Sequence, residues 1–89
     1  MSADRDLIER FLEMMAAQAG AARNTIAAYR SDLLLASEAL GGGLADADAA
    51  ALERLGESWL DLSRSSVARK SAALRRFYAF LADEGLRGD

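Results

Sequence analysis

Arg64, Arg69, Lys70, Arg75 and Arg76 all fall within residues 63–80, and no aspartate or glutamate falls among them. Five cations without an anion on one short stretch point to phosphate chemistry. Guanidinium groups donate paired hydrogen bonds to phosphate oxygens, and the summed charge draws a polyanion in. The rest of the chain is acidic, so the overall charge is −3. That sum alone argues against a nucleic acid partner; its distribution argues for one. A solvated face is the ordinary explanation of a charge run, but this run keeps one sign throughout.

Other chemistries lack their residues. The chain has no cysteine and no histidine. Thiolate chemistry and disulfides are therefore excluded, along with the commonest general base and the commonest zinc ligand. Tyr29 and Tyr78 are potential nucleophiles, but both sit on apolar stripes and read as core, as does Trp59. Asp46 and Asp48 stand where a helix begins, and capping explains them. Gly41-Gly42-Gly43 lacks the lysine and hydroxyl residue of a phosphate-cradling loop. No catalytic residue, metal site or cofactor is expected.

The elements that position the basic residues are helices. Apolar periodicity and glycine or serine punctuation give four, at about 4–19, 24–40, 47–62 and 65–84, with no strand and no repeat. Asp4 and Asn24 read as N-caps, Gly20 and Gly85 as C-terminal stops, and the triple glycine as a helix stop and a flexible turn. The stripes are Leu7, Ile8, Phe11, Leu12 and Met15; then Ile26, Tyr29, Leu33, Ala36, Ser37 and Leu40; then Leu52, Leu55, Trp59 and Leu62; then Val67, Leu74, Phe77, Tyr78 and Leu81. Gly56 weakens the third helix from inside by about 1 kcal/mol relative to alanine. The fold class is all-α, a single compact four-helix bundle spanning residues 1–89.

At 100° per residue, the fourth helix places Arg64 and Arg75 on one side of its outward face and Arg69 and Arg76 on the other. Ser65, Ala68, Ala72 and Ala79 lie between them. Small residues flanked by arginines let a nucleic acid backbone come close while both flanks reach its phosphates. Lys70 falls at the edge of the core stripe and is expected to snorkel outward. Arg23, Asn24 and Thr25 open the second helix, where free N–H groups and the positive dipole end add a further anion contact. The candidate DNA-binding residues are Arg23, Asn24, Thr25, Ser65, Ser66, Arg69, Lys70, Arg75 and Arg76.

Two segments carry a family resemblance. Asn24-Thr25-Ile26-Ala27-Ala28-Tyr29-Arg30-Ser31-Asp32-Leu33 resembles the Asn-Thr-x-x-x-Tyr-x-x-Asp-Leu signature of tyrosine recombinases. Ser66-Val67-Ala68-Arg69-Lys70-Ser71-Ala72-Ala73-Leu74-Arg75-Arg76-Phe77-Tyr78-Ala79-Phe80-Leu81 is similar to their Ser-x-Ala-Arg-Arg-x-x-Ala-Leu-Arg-x-Phe-Tyr-x-Phe-Leu pattern, and Asp83-Glu84-Gly85 continues it. The likeness is to the Xer type and covers nearly the whole chain. It implies the N-terminal SAM-like core-binding domain, whose second and fourth helices pack on the major groove and its phosphates of double-stranded DNA. It also implies partner recombinase protomers, and a separate catalytic domain that carries the tyrosine chemistry. Ser71 departs from the pattern, standing where the family usually has leucine, and the glycine triplet is more flexible than usual.

No apolar run reaches the ~18 residues of a membrane span, and no signal core follows the charged N-terminus. The expectation is a cytoplasmic domain, monomeric in isolation, without membrane contact. A competing reading keeps the fold but makes the basic face a docking site for an acidic protein surface.

Overall fold

The computed structural model describes residues 3–88. Its elements are α1 (Ala3–Gln18), α2 (Arg23–Leu40), a 3₁₀ turn (Leu44–Asp46), α3 (Ala49–Glu57) and α4 (Arg64–Asp83). No strand occurs among the described residues. The all-α, four-helix expectation holds.

α1 and α2 bury the faces their periodicity marks out, whereas α4 buries Ala73 and Phe80 with Phe77 and Leu81 and leaves Val67, Leu74 and Tyr78 of its expected stripe half-buried. Ile8, Phe11, Leu12 and Met15 from α1 meet Tyr29, Leu33 and Ala36 from α2. Ala73, Phe77, Phe80 and Leu81 from α4 close the other side, with Leu44, Ala45 and Leu55 from the 3₁₀ turn and α3. Phe11 sits at the centre, edge-on to Phe77 with ring centroids 5.7 Å apart and 5.8 Å from Phe80. Leu7, Ile26, Leu40, Leu52, Trp59, Leu74 and Tyr78 pack around this centre, partly buried. Ser71, the departure from the family pattern, is half-buried.

The helix ends follow cap chemistry in part. Gly20, Gly41 and Gly85 all take left-handed φ, +64°, +74° and +70°. The Gly42 N–H returns to Ser37 O at 2.8 Å, and that of Leu86 to Leu81 O at 2.8 Å, the six-to-one bond that closes such ends. Asp48 caps α3 by accepting from Ala51 N at 2.8 Å.

Four sequence expectations are corrected. Asp4 does not cap α1; it lies inside the first turn and is buried. Its carboxylate accepts from Ser37 Oγ and from Leu44 N at 3.1 Å, tying α1 to the end of α2 and to the 3₁₀ turn. Asn24 does not cap α2, because Ala22 occupies that position without a side-chain bond. The third helix stops at Glu57 instead of reaching residue 62. Beyond it the Ser58 hydroxyl bonds Leu55 O, and bonds of the i to i+3 kind carry the chain to Leu62. A serine that takes a backbone carbonyl two residues after a glycine offers the chain an alternative to the α pattern. Leu62 is consequently 41% exposed and leaves the stripe assigned to it.

The glycine turn is held more firmly than its composition suggests. Beyond the Asp4 contacts, Tyr78 Oη donates to Leu44 O at 2.8 Å. The Arg87 guanidinium donates to Ala45 O and Ala47 O, both at 2.7 Å, and stacks 4.6 Å from the Tyr78 ring centroid. Side chains from both ends of the chain thus hold one short turn.

Candidate nucleic-acid interface

α4 begins in a serine cluster. Ser63 is the cap: its Oγ accepts from Ser66 N at 3.2 Å and donates to Ser66 Oγ at 3.0 Å. Ser65 Oγ lies 3.4 Å from the same atom and remains exposed. Ser66 is half-buried, its hydroxyl engaged by the cap.

Along the outward face of α4, Arg64, Arg75 and Arg76 are exposed, with no acidic partner among the described residues. Ala68 and Ala79 between them are exposed as well, and Ala72 is half-buried. The expected arrangement of arginines flanking small residues is therefore present as an accessible strip.

Arg69 and Lys70 behave differently. Arg69 donates from Nε to Asp32 Oδ2 at 2.8 Å and from Nη2 to Asp32 Oδ1 at 3.0 Å. Lys70 Nζ reaches Asp32 Oδ1 at 3.2 Å. Lys70 therefore does not snorkel to solvent: its side chain is only 12% exposed, because a buried carboxylate across the helix interface gives its charge a partner. Arg69 keeps 47% exposure while Asp32 has 2%. Burial pushes the Asp32 carboxyl up, but the hydrogen bonds and charges of Arg69 and Lys70 outweigh it and bring its pKa below the usual carboxylate value. The same contact raises the pKa of Arg69.

A second fork joins α1 to α2. Arg30 donates to Glu9 from Nε at 2.9 Å and from Nη2 at 3.0 Å, and these bonds lower the Glu9 pKa. Both carboxylates thus titrate lower in the folded chain than in the unfolded one. The stability they contribute is complete above an unfolded carboxylate pKa of about 4 and is lost as pH falls through the lowered native values. Urea unfolding midpoints should therefore hold level from neutral pH to about 5 and drop below about 4. The drop should be shallower in Asp32→Asn; an equal drop in that variant would remove Asp32 from the account.

Arg23, Asn24 and Thr25 are all exposed at the start of α2. Ala22 at the cap position offers the first N–H groups of that end no side-chain bond. Thr25 lies two turns before Asp32 on the same flank of α2, the flank that turns toward Arg69. The contact between Asp32 and Arg69 thus joins α2 to α4 two turns beyond Thr25.

Residues 8–85 match the family model described as phage integrase, N-terminal SAM-like domain. The chain belongs to this family. The SAM-like domain is 61% identical over 82 residues to tyrosine recombinase XerC of Erythrobacter litoralis (strain HTCC2594), covering 92% of this chain and 26% of that protein. It is 46% identical over 91 residues to tyrosine recombinase XerD of Rhizobium meliloti (strain 1021), covering 92% and 28%. It is 42% identical over 94 residues to XerD of Caulobacter vibrioides, covering 100% and 31%. The chain therefore spans between a quarter and a third of these curated relatives. No solved structure matches it. No helix among the described residues is long and apolar enough to cross a membrane.

In this SAM-like domain the two signature segments are in contact, through Asp32 of the first with Arg69 and Lys70 of the second. Asp32 is the residue that sequence reasoning passes over. A signal for it exists: it is the acid of the Tyr-x-x-Asp-Leu element, lying next to a core leucine on a helix otherwise short of anions.

Proposed function

We propose that this domain grips duplex DNA through the start of α2 and the outward face of α4, as the N-terminal unit of a site-specific tyrosine recombinase. One observation supports this above the rest: Arg64, Arg75 and Arg76 are exposed on one strip, unneutralised among the described residues and separated by alanines. A strip of that kind approaches a sugar-phosphate backbone closely and binds by releasing counterions. The similarity to the XerC and XerD tyrosine recombinases supplies the reaction context, with further protomers as partners and the chemistry located outside this chain.

A titration with duplex DNA at two salt concentrations, followed by NMR, tests this. Amide shifts should concentrate at residues 23–25 and along 64–76, with affinities of about 10⁻⁴ to 10⁻⁶ M at physiological salt. Joint replacement of Arg75 and Arg76 by alanine should flatten the dependence of log K on log salt by about 0.9 for each phosphate no longer neutralised. Shifts confined to other surfaces, or none at low salt, would refute the assignment.

The protein-docking alternative has one observation in its favour. Trp59, Leu60, Leu62 and Val67 line an open groove of about 360 Å³ beside Arg64, and Leu60 is 85% exposed. Shifts at Trp59–Leu62 that appear with an acidic peptide and not with DNA would favour that reading.

A further inference from the structure

We propose that Arg69 reads a guanine in the major groove, and that Asp32 is the positioning residue that aims it. This rests on the DNA-binding function proposed above and divides the work among its arginines. A guanidinium has five N–H donors in a fixed plane. Asp32 takes the edge formed by Nε and Nη2, at 2.8 and 3.0 Å. The terminal edge, made by Nη1 and the second hydrogen of Nη2, is left over. It is a two-donor fork, the shape that matches O6 and N7 of guanine.

The anchor beneath this fork is firm. Asp32 is 2% exposed, and its Oδ1 also accepts from Lys70, itself 12% exposed. Arg69 remains 47% exposed, so its free edge stands at the surface while the bonds to Asp32 restrict its rotamers. Binding then has little further ordering to impose on this side chain, which is the benefit of preorganisation. Ser65 and Ala72, one turn to either side on α4, are small enough for a base edge to approach.

Charge separates the roles further. Asp32 offsets one of the two cations it holds, which weakens the general pull of this cluster on phosphate. Arg76 shares the flank of Arg69 but has no acidic partner among the described residues. Holding phosphate depends on charge, whereas reading a base depends on direction. Arg76 suits the first and Arg69 the second, although helical position alone assigns both the same phosphate role.

The test uses this chain and a pool of duplexes randomised at the centre, with the bound fraction sequenced, and salt titrations on one arbitrary duplex. Wild type should enrich guanine at one position by about tenfold. Arg69→Ala should erase that preference and leave the salt slope nearly unchanged. Arg76→Ala should keep the preference and reduce the slope by about 0.9. Asp32→Asn should blunt the preference while holding or raising affinity for the unselected pool, since a negative charge has left the face; Asp32→Glu should restore part of the preference. A purely structural role for Asp32 would instead weaken binding to every duplex alike. If Asp32→Asn fails to fold by circular dichroism, the Arg69→Ala result decides. A reduced slope with the guanine preference intact in Arg69→Ala makes it a phosphate contact and overturns the proposal. Binding by wild type with no base preference overturns it too, while leaving the DNA grip standing; no binding to any duplex removes both.

Discussion

Phe77→Ala should remove a large share of this domain's stability at 25 °C. Phe77 has no exposed surface and meets Phe11 edge-on at the centre of the core. Removing such a ring costs about 3–5 kcal/mol, through lost transfer energy and the cavity left behind. A chain of this size has a total stability of roughly 5–13 kcal/mol. The cavity would open between α1 and α4. The pair of Arg10 and Glu84, at 3.3 Å, spans those helices at the surface, but an exposed ion pair does little to hold such a gap shut. Urea unfolding followed by circular dichroism measures the effect. Phe77→Leu, which keeps most of the volume, should cost less than about 1.5 kcal/mol. A loss below about 1 kcal/mol in Phe77→Ala would mean that the site collapses far more readily than the packing implies.

Asp4→Ala is the second large effect, and it arises from polarity. The Asp4 carboxylate is the shared acceptor for the Ser37 hydroxyl and the Leu44 N–H, in a buried setting. Its removal strands two donors at once, at about 1–3 kcal/mol each if water does not enter. The expected loss is about 2–6 kcal/mol, with Asp4→Asn nearer 1 because one acceptor oxygen survives. Hydrogen exchange gives the sharper readout. The Leu44 amide should exchange much faster in Asp4→Ala, and neighbouring amides of the glycine turn should follow. Unchanged protection at Leu44 would show that Tyr78 and Arg87 hold the turn without Asp4.

The stripes on α1, α2 and α4 are legible because burial imposes a period on the sequence, and Ile8, Phe11, Leu33, Phe77 and Leu81 all lie where that period puts them. Gly20, Gly41 and Gly85 are legible as stops for a similarly local reason. Asp4 and Lys70 are not. An aspartate near a helix start has the same local signature whether it caps that helix or reaches a different element, and only the tertiary fold chooses. Lys70 does lie at the edge of the core, as its spacing indicates, but its partner is on another helix, beyond the range of any periodicity. The end of α3 misleads because Trp59 and Leu62 continue an apolar spacing that the backbone abandons at Ser58. At the candidate site, the strip of arginines and alanines can be read from one helix alone. The division between Arg69 and Arg76 cannot, since it depends on Asp32 from α2.

In the turn after α2, Gly41, Gly42 and Gly43 take φ of +74°, +95° and +70° in succession, and a Cβ added at any of them would meet nothing within 4 Å. Volume therefore does not reserve these positions for glycine; chirality does. For three residues the backbone runs in the mirror-image half of conformational space, open to an achiral residue or a D-amino acid and strained for an L one. At this turn the choice of residue is narrow although the space around it is open.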